Sequence, residues 1–283
     1  MKNIHIIGVG LMGGSLAKDL KILYPSCYIT GVDSNENHIK EALSLGFIDA
    51  EGTIKNFANS SLVILAIPVD SAILLLPKVL DVVEDDTLVV DFGSTKSGIC
   101  KAVESHKNRR NYLAVHPITG TEFSGPKAAI NNLYKDKTNI ICEVEKTAFK
   151  LQERALELFK KLEMRIRYMD AVSHDKHIAY VSHLSHISSF MLGKTVIEKE
   201  KNERDIFDMA GSGFESTVRL AKSSPDMWTP IFKQNKENVL CTLSEYITNL
   251  QYFKGLLEND DFETIYAEMK QTNRIKKILK GIS

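Results

Sequence analysis

A histidine set before a proline is where this chain first offers chemistry. In His116-Pro117-Ile118-Thr119-Gly120-Thr121-Glu122, directly after the apolar run Tyr112–Val115, an imidazole stands at the end of a strand-like segment. The proline ring keeps the residue before it out of the α region, so His116 cannot open a helix and should project from the strand end. An imidazole with an unperturbed pKa of roughly 6.5 suits a general base. Glu122 and Thr121 follow in a glycine-bounded loop, where they could tune that imidazole or contact a ligand ring. Ser94, in Asp91-Phe92-Gly93-Ser94-Thr95-Lys96, lies between a second strand-like run and a helical segment. It can serve as a helix N-cap, as a site residue, or as both.

His174, His177, His183 and His186 invite a metal reading. On one helix, at about 100° per residue, they point to about 0°, 300°, 180° and 120°, too divergent to meet at one ion. We therefore expect no metal. Within Ser182-His183-Leu184-Ser185-His186, Ser182 and His186 stand four residues apart and could face a cleft together; satisfied histidines in a helix interface are the alternative. Farther on, Gly211-Ser212-Gly213-Phe214 interrupts a helical region and leads into Glu215–Lys222, which carries Arg219. A guanidinium offers a carboxylate two parallel donors, so Arg219 reads as a carboxylate clamp or as a surface salt bridge.

These groups need a scaffold, and the N-terminus describes one. Asn3–Ile7 runs into Gly8-Val9-Gly10-Leu11-Met12-Gly13 and then a helical pattern. Strand, glycine turn and helix in that order form a dinucleotide-binding fingerprint: Gly8 for the turn, Gly10 for close approach of a pyrophosphate, Gly13 for packing of helix on strand. Leu11 and Met12 open the helix, whose free N–H groups and dipole favour the anion. Asp33 ends the next strand at the spacing of about 20 residues where an acid accepts hydrogen bonds from a ribose diol. A 2′-phosphate would meet that carboxylate, and no arginine follows closely, so the expected cofactor is NAD.

Strand-like runs recur at Asn3–Ile7, Cys27–Val32, Leu62–Ile67, Thr87–Asp91, Tyr112–Val115, Asn139–Glu143 and Arg165–Tyr168, with amphipathic helical segments between them. Alternation of this kind predicts an α/β fold, a doubly wound parallel sheet of the Rossmann type. Beyond Ala171 the apolar spacing is helical throughout, in 178–197, 231–257 and 262–280. We read a dinucleotide-binding domain over 1–170 and a helical domain over 171–283, the latter assigned to substrate and dimerisation by the resemblance described below. Lys plus Arg equals Asp plus Glu at 36 each, so no net field draws nucleic acid or an anionic membrane. Four cysteines without a C-x-x-C pair fit a reducing compartment. With no signal-type segment and no span of ~18 apolar residues, we expect a cytoplasmic protein.

Together the motifs resemble those of the prephenate dehydrogenase family, which includes the arogenate and cyclohexadienyl dehydrogenases. The matching pieces are Gly8-x-Gly10-x-x-Gly13-Gly14-Ser15-Leu16, Asp91-x-Gly93-Ser94-x-Lys96, His116-Pro117-x-x-Gly120-Thr121-Glu122, Ser182-His183-Leu184-x-His186 and Gly213-Phe214-x-x-x-x-Arg219. The first is widespread among dehydrogenases; the other four are specific as a set. The resemblance implies NAD-dependent oxidative decarboxylation of a cyclohexadienol, a helical domain pairing two subunits, His116 as base, Ser94 as its hydrogen-bonding partner and Arg219 as binder of the substrate carboxylate. Ser182, His183, His186, Thr121 and Glu122 are the further expected substrate contacts. Ser185 departs from the pattern, since many relatives carry proline there. Because the chain ends at Ser283, soon after the last helical segment, no appended amino-acid-binding domain is expected. Arogenate is the alternative substrate. A β-hydroxyacid dehydrogenase would leave His116-Pro117 and Arg219 unexplained, and a redox-sensing NAD-binding protein would have no need of Ser94, His116 and Arg219 together.

Overall fold

The computed structural model describes residues 1–201, 203 and 205–280. Its centre is an eight-stranded sheet of β1 (Asn3–Ile7), β2 (Tyr28–Val32), β3 (Ala50–Glu51), β4 (Leu62–Leu65), β5 (Leu88–Asp91), β6 (Tyr112–Pro117), β7 (Thr138–Cys142) and β8 (Arg165–Met169), in spatial order β3-β2-β1-β4-β5-β6-β7-β8. Side chains alternate across a strand, and here each face has its own core. Ile4, Ile6, Leu62, Ile64, Leu88 and Val90 enter one cluster, with α1 (Leu11–Leu23) supplying Leu16 and Leu20. Ile7, Val63, Leu65 and Val89 enter the other, against Leu76 and Leu80. Such doubly buried strands read as continuous apolar runs, and each fully buried aliphatic side chain contributes about 1.5–3 kcal/mol.

The expectation of a parallel sheet needs one correction: β6 and β7 pair antiparallel, His116 opposite Ile140 and Pro117 opposite Asn139. Every other neighbouring pair is parallel. The two-residue β3 was not foreseen. β6 also extends through His116 and Pro117, so the imidazole belongs to the last pleat of the strand and not to the loop after it. The order reverses between β2 and β4 around β1, and ligands of open α/β sheets lie at the carboxyl ends of the strands at such a point.

The helices between strands are α2 (Glu36–Ser44), α3 (Val69–Val82), α4 (Ser97–Ala102) and α5 (Phe149–Lys161). After β8 no strand occurs among the described residues. α6 (Ala171–Ile178) continues through a π turn, Ala179–His183, into α7 (Leu184–Glu200), followed by α8 (Ser212–Val218) and α9 (Pro225–Gln234). α9 sets Trp228 and Ile231 against Val69 of α3. The stretch Gly211-Ser212-Gly213-Phe214, read from the sequence as an interruption of the helical region, opens the short helix α8 with Gly211 at its N-cap.

Two compact units divide after Lys236. The second consists of α10 (Lys236–Glu258), α11 (Phe262–Thr272) and α12 (Ile275–Lys280). Along α10, Leu240, Ile247, Leu250 and Leu257 are all exposed, and so are Phe262, Tyr266 and Met269 of α11. Among the described residues no helix is long and apolar enough to cross a membrane.

Candidate active site

At the end of β1 the backbone itself forms a cradle. Gly8 has φ +90°, and a Cβ there would lie 2.3 Å from the carbonyl oxygen of Ala66; a Cβ on Gly13 would lie 1.9 Å from that of Gly8. Neither contact leaves room for a side chain. Gly10 occupies the N-cap of α1 without any side-chain cap, so the first amides of that helix are free for an anion. Asp33, at the end of β2, is tied to this turn: Oδ2 accepts from Val9 N at 3.1 Å and Oδ1 from Asn35 N at 2.9 Å. His38 Nδ1 stands 3.4 Å from the same Oδ1.

The segment between β6 and β7 lies over α1 from the other side. Tyr134 Oη donates to the Met12 carbonyl at 2.6 Å, Ser15 Oγ accepts from Ile130 N at 3.0 Å, and Asp19 accepts from Asn132 N at 2.9 Å. Gly125 closes on the turn, with its Cα 3.9 Å from where a Cβ on Gly10 would stand. Open backbone, a helix N-terminus and an acid at the second strand fit a dinucleotide.

One buried ion pair organises the strand ends beside this cradle. The Lys96 ammonium, fully buried, donates to Asp91 Oδ2 and, at 2.6 Å, to the Val115 carbonyl next to His116. Asp91 also accepts from Tyr112 Oη at 2.6 Å and from Gly93 N at 2.9 Å. The turn bearing Ser94 and the strand bearing His116 are thus set by the same pair of charges. Removing one partner of such a pair typically costs about 3–5 kcal/mol.

His116 is 8% exposed. Its Nδ1 lies 2.8 Å from His174 Nε2, and His174 Nδ1 lies 2.8 Å from Asp175 Oδ1. Burial, with His174, Lys96 and His183 nearby, pushes the His116 imidazole well below its ordinary range, so it is neutral and able to accept a proton at neutral pH. Asp175 does a second job: it accepts from Lys96 N at 2.7 Å and Ser97 N at 2.8 Å, the first amides of α4. This corrects the N-cap reading of Ser94, since Lys96 holds the N-cap position and the capping carboxylate comes from α6. Burial alone would raise the Asp175 carboxyl, but hydrogen bonds from His174, Lys96 and Ser97 hold it below the usual range.

The histidine pair in the second half separates into two environments. His186 donates from Nδ1 to the Ser182 carbonyl at 2.9 Å and stacks on Trp228 with ring centroids 3.5 Å apart. His183 has no exposed surface; its Nδ1 lies 3.2 Å from Asn235 Nδ2, and Trp228 and Phe232 meet it edge-on. Burial lowers its pKa to about 4, and the ring serves the packing of α9. Arg219 is half-exposed, with Nη1 3.7 Å from Glu122 Oε2, so Glu122 faces a guanidinium. Ser189 fastens the Arg219 turn to α7, donating to Thr217 O and accepting from Ala221 N, both at 3.0 Å. Thr121 Oγ1 accepts from Phe123 N at 3.3 Å. Among the described residues no group of three or more His, Cys, Asp or Glu could hold a metal ion.

Sequence reasoning missed Lys96, Asp175 and Trp228 as parts of the site and considered His174 only as a metal ligand. The single local signal was the strand-end acid Asp91 five residues before a lysine; the partners of His174 and Asp175 lie 58 and 79 residues away in the chain.

Comparison with known proteins agrees with this architecture. The family model "Prephenate dehydrogenase, nucleotide-binding domain" matches residues 16–168, and "Prephenate dehydrogenase, dimerization domain" matches residues 170–271. A prephenate dehydrogenase of Bacillus subtilis is 29% identical over 94% of this chain and 73% of its own length. A cyclohexadienyl dehydrogenase of Zymomonas mobilis is 26% identical over 99% of this chain and 96% of its own. Among solved structures, prephenate dehydrogenase from A. aeolicus in complex with hydroxyphenyl propionate and NAD+ superposes with a TM-score of 0.86 at 31% identity, covering 98% of each chain.

Proposed function

The chain belongs to the prephenate dehydrogenase family, and from that premise we propose that it converts prephenate to 4-hydroxyphenylpyruvate and carbon dioxide with reduction of NAD, a step toward tyrosine. The observation that carries the reading is a buried, neutral imidazole, His116, at a strand end beside a glycine cradle. NAD, when bound, accepts the hydride from the ring carbinol. His116 accepts the carbinol hydroxyl proton, and loss of the ring carboxylate is driven by aromatisation, so positioning and one base suffice. Ser94 is read as the second hydroxyl contact. Arg219 holds a substrate carboxylate, Glu122 sets the guanidinium, and His186, steadied by the Ser182 carbonyl and Trp228, lines the same pocket with Thr121 and Ser182. His183 supports that wall from inside. Gly8, Gly10, Leu11, Met12, Gly13 and Asp33 hold the dinucleotide.

Residues 1–170 are read as the nucleotide-binding domain and 171–283 as the helical substrate and dimerisation domain. The exposed leucines and isoleucine of α10 support a homodimer through that domain, which sedimentation equilibrium tests. Four unpaired thiols, three of them buried, support a cytoplasmic location. The cyclohexadienyl relative favours a second reading in which arogenate is also turned over. Comparing kcat/KM for prephenate and arogenate, each with NAD and NADP, decides: absence of turnover with both substrates refutes the proposal.

A further inference from the structure

His116 does not stand alone. His174 Nδ1 is 2.8 Å from Asp175 Oδ1, and an ionised carboxylate only accepts, so the proton of neutral His174 resides on Nδ1. Its Nε2 is then a lone pair. That lone pair lies 2.8 Å from His116 Nδ1, which must supply the hydrogen, leaving the basic lone pair of His116 on Nε2. Rings inclined at 65° with centroids 5.1 Å apart suit an edge-to-face approach of this kind. One carboxylate thereby decides which nitrogen of an imidazole two residues removed in the hydrogen-bonded chain is the base.

The carboxylate is itself immobile. Beyond His174 it accepts from the amides of Lys96 and Ser97, the Ser97 hydroxyl donates to the Ala171 carbonyl at 3.0 Å, and Asn235 Nδ2 donates to the Asp175 carbonyl at 2.6 Å. α6 is thus pinned to α4 and to the end of α9. The charged and titratable groups acting on His116 are His174 from α6, Lys96 before α4, whose charge Asp91 meets, and His183 from the π turn, while Asp175 of α6 reaches it through His174. Asp175 is the carboxylate that His174 connects to His116, so it is the negative charge placed to meet, through His174, an imidazolium formed there.

We propose that His174 and Asp175 are positioning residues for the reaction, acting through His116: they fix its acceptor at Nε2 and share the positive charge it gains. The inference rests on the reading of His116 as base. In that step the substrate O–H bond breaks and its proton bonds to Nε2, while the oxygen's electron pair forms a carbonyl as the carbinol C–H pair passes as hydride to NAD. The bond from the ring to its carboxylate then breaks, carbon dioxide leaves, and its electron pair completes the aromatic ring. The proton on Nε2 returns to the ring oxygen, so no net proton is released. During the step His116 Nδ1–H donates to His174, and His174 Nδ1–H to Asp175, so the transient charge is met by a carboxylate fixed in advance.

The test combines three variants with a spectrum. In the wild-type protein, ¹⁵N NMR of neutral His116 should report a protonated Nδ1 and a bare Nε2. His174→Phe, which keeps a flat ring and removes both nitrogens, should lower kcat by about 10- to 100-fold, less than loss of the base itself, while the Kd for NAD stays within about twofold. Its His116 should show mixed tautomers. His174→Gln, which retains an acceptor toward His116 and a donor toward Asp175, should recover most of the loss, and Asp175→Asn should resemble His174→Phe in tautomer mixing. A wild-type His116 protonated on Nε2 overturns the proposal, even if no variant folds. So does a kcat for His174→Phe within about twofold of wild type, or an equal deficit in His174→Gln. If His116→Asn abolishes turnover while His174→Phe does not, only the relay falls; if His116→Asn retains turnover, the base assignment falls first.

Discussion

At the carboxyl end of β1 the chain presents backbone, and at the carboxyl end of β6 it presents side chains. The glycine turn works by what is missing: three positions without Cβ, an uncapped helix, and one acid tied to the turn by a 3.1 Å hydrogen bond. Its neighbour works by what has been brought in from elsewhere. His116 is reached by α6 through His174, its strand is held by Lys96, and the helix carrying Lys96 at its cap is closed by Asp175. A backbone site is specified by spacing along the chain. A side-chain site of this kind is specified by packing, and single substitutions should act on the two in different ways.

The largest expected contrast is at His116, the proposed base. His116→Asn keeps a hydrogen-bonding side chain at the end of β6 but removes the proton acceptor, so kcat should fall by roughly 10²–10⁴-fold. The Kd for NAD, measured by fluorescence or calorimetry, should be unchanged. A variant that loses NAD along with turnover would mean that the two ends of the sheet are one mechanical unit.

The converse experiment is Gly13→Val. A Cβ there meets the Gly8 carbonyl oxygen at 1.9 Å, a backbone atom that cannot rotate away. The turn must open, at a cost of about 1–3 kcal/mol typical of overpacking, and NAD affinity should drop by about 10- to 100-fold. The hydrogen bond between His116 and His174 should persist, which the His116 ring ¹⁵N shifts report. Unaltered NAD binding would mean that the cradle is not where the cofactor lies.

Arg219 tests the side-chain pocket at its exposed edge. Arg219→Gln removes a charge-assisted contact worth roughly 1.5–3 kcal/mol, seen as a rise of about 10- to 100-fold in KM for prephenate. Because the contact persists from ground state to transition state, kcat should change less and NAD affinity hardly at all. An unchanged KM would leave Arg219 as the partner of Glu122 and nothing more.

The same contrast explains what could be read from the residues alone. The central strands were legible because doubly buried β-strands are continuous apolar runs, and the glycine turn because its order of strand, turn and helix is local. His116 was legible through the proline after it. The antiparallel β7 was not, because direction depends on how residues 118–137 cross α1, through contacts such as Tyr134 to Met12 that no periodicity reports. Nor was the relay, whose members are adjacent in the sequence yet serve partners in α4 and β6.

The smallest effect should be at Asp33, where the backbone site acquires its one charged side chain. Both carboxylate oxygens already accept hydrogen bonds, from Val9 N and Asn35 N, and the side chain remains 12% exposed toward solvent. Each oxygen has a further lone pair, enough to accept from a ribose diol, whereas a 2′-phosphate would bring like charge to the same place. NAD should therefore be preferred over NADP by at least about tenfold in kcat/KM, or about 1.4 kcal/mol. Asp33→Asn separates the two contributions. The amide retains an oxygen for one of the backbone donors but loses the negative charge, so NADP should improve while NAD weakens by a few fold, bringing the ratio close to one. Equal use of both cofactors by the wild-type enzyme, or a preference that survives Asp33→Asn intact, would shift cofactor choice away from Asp33 and onto the surrounding backbone.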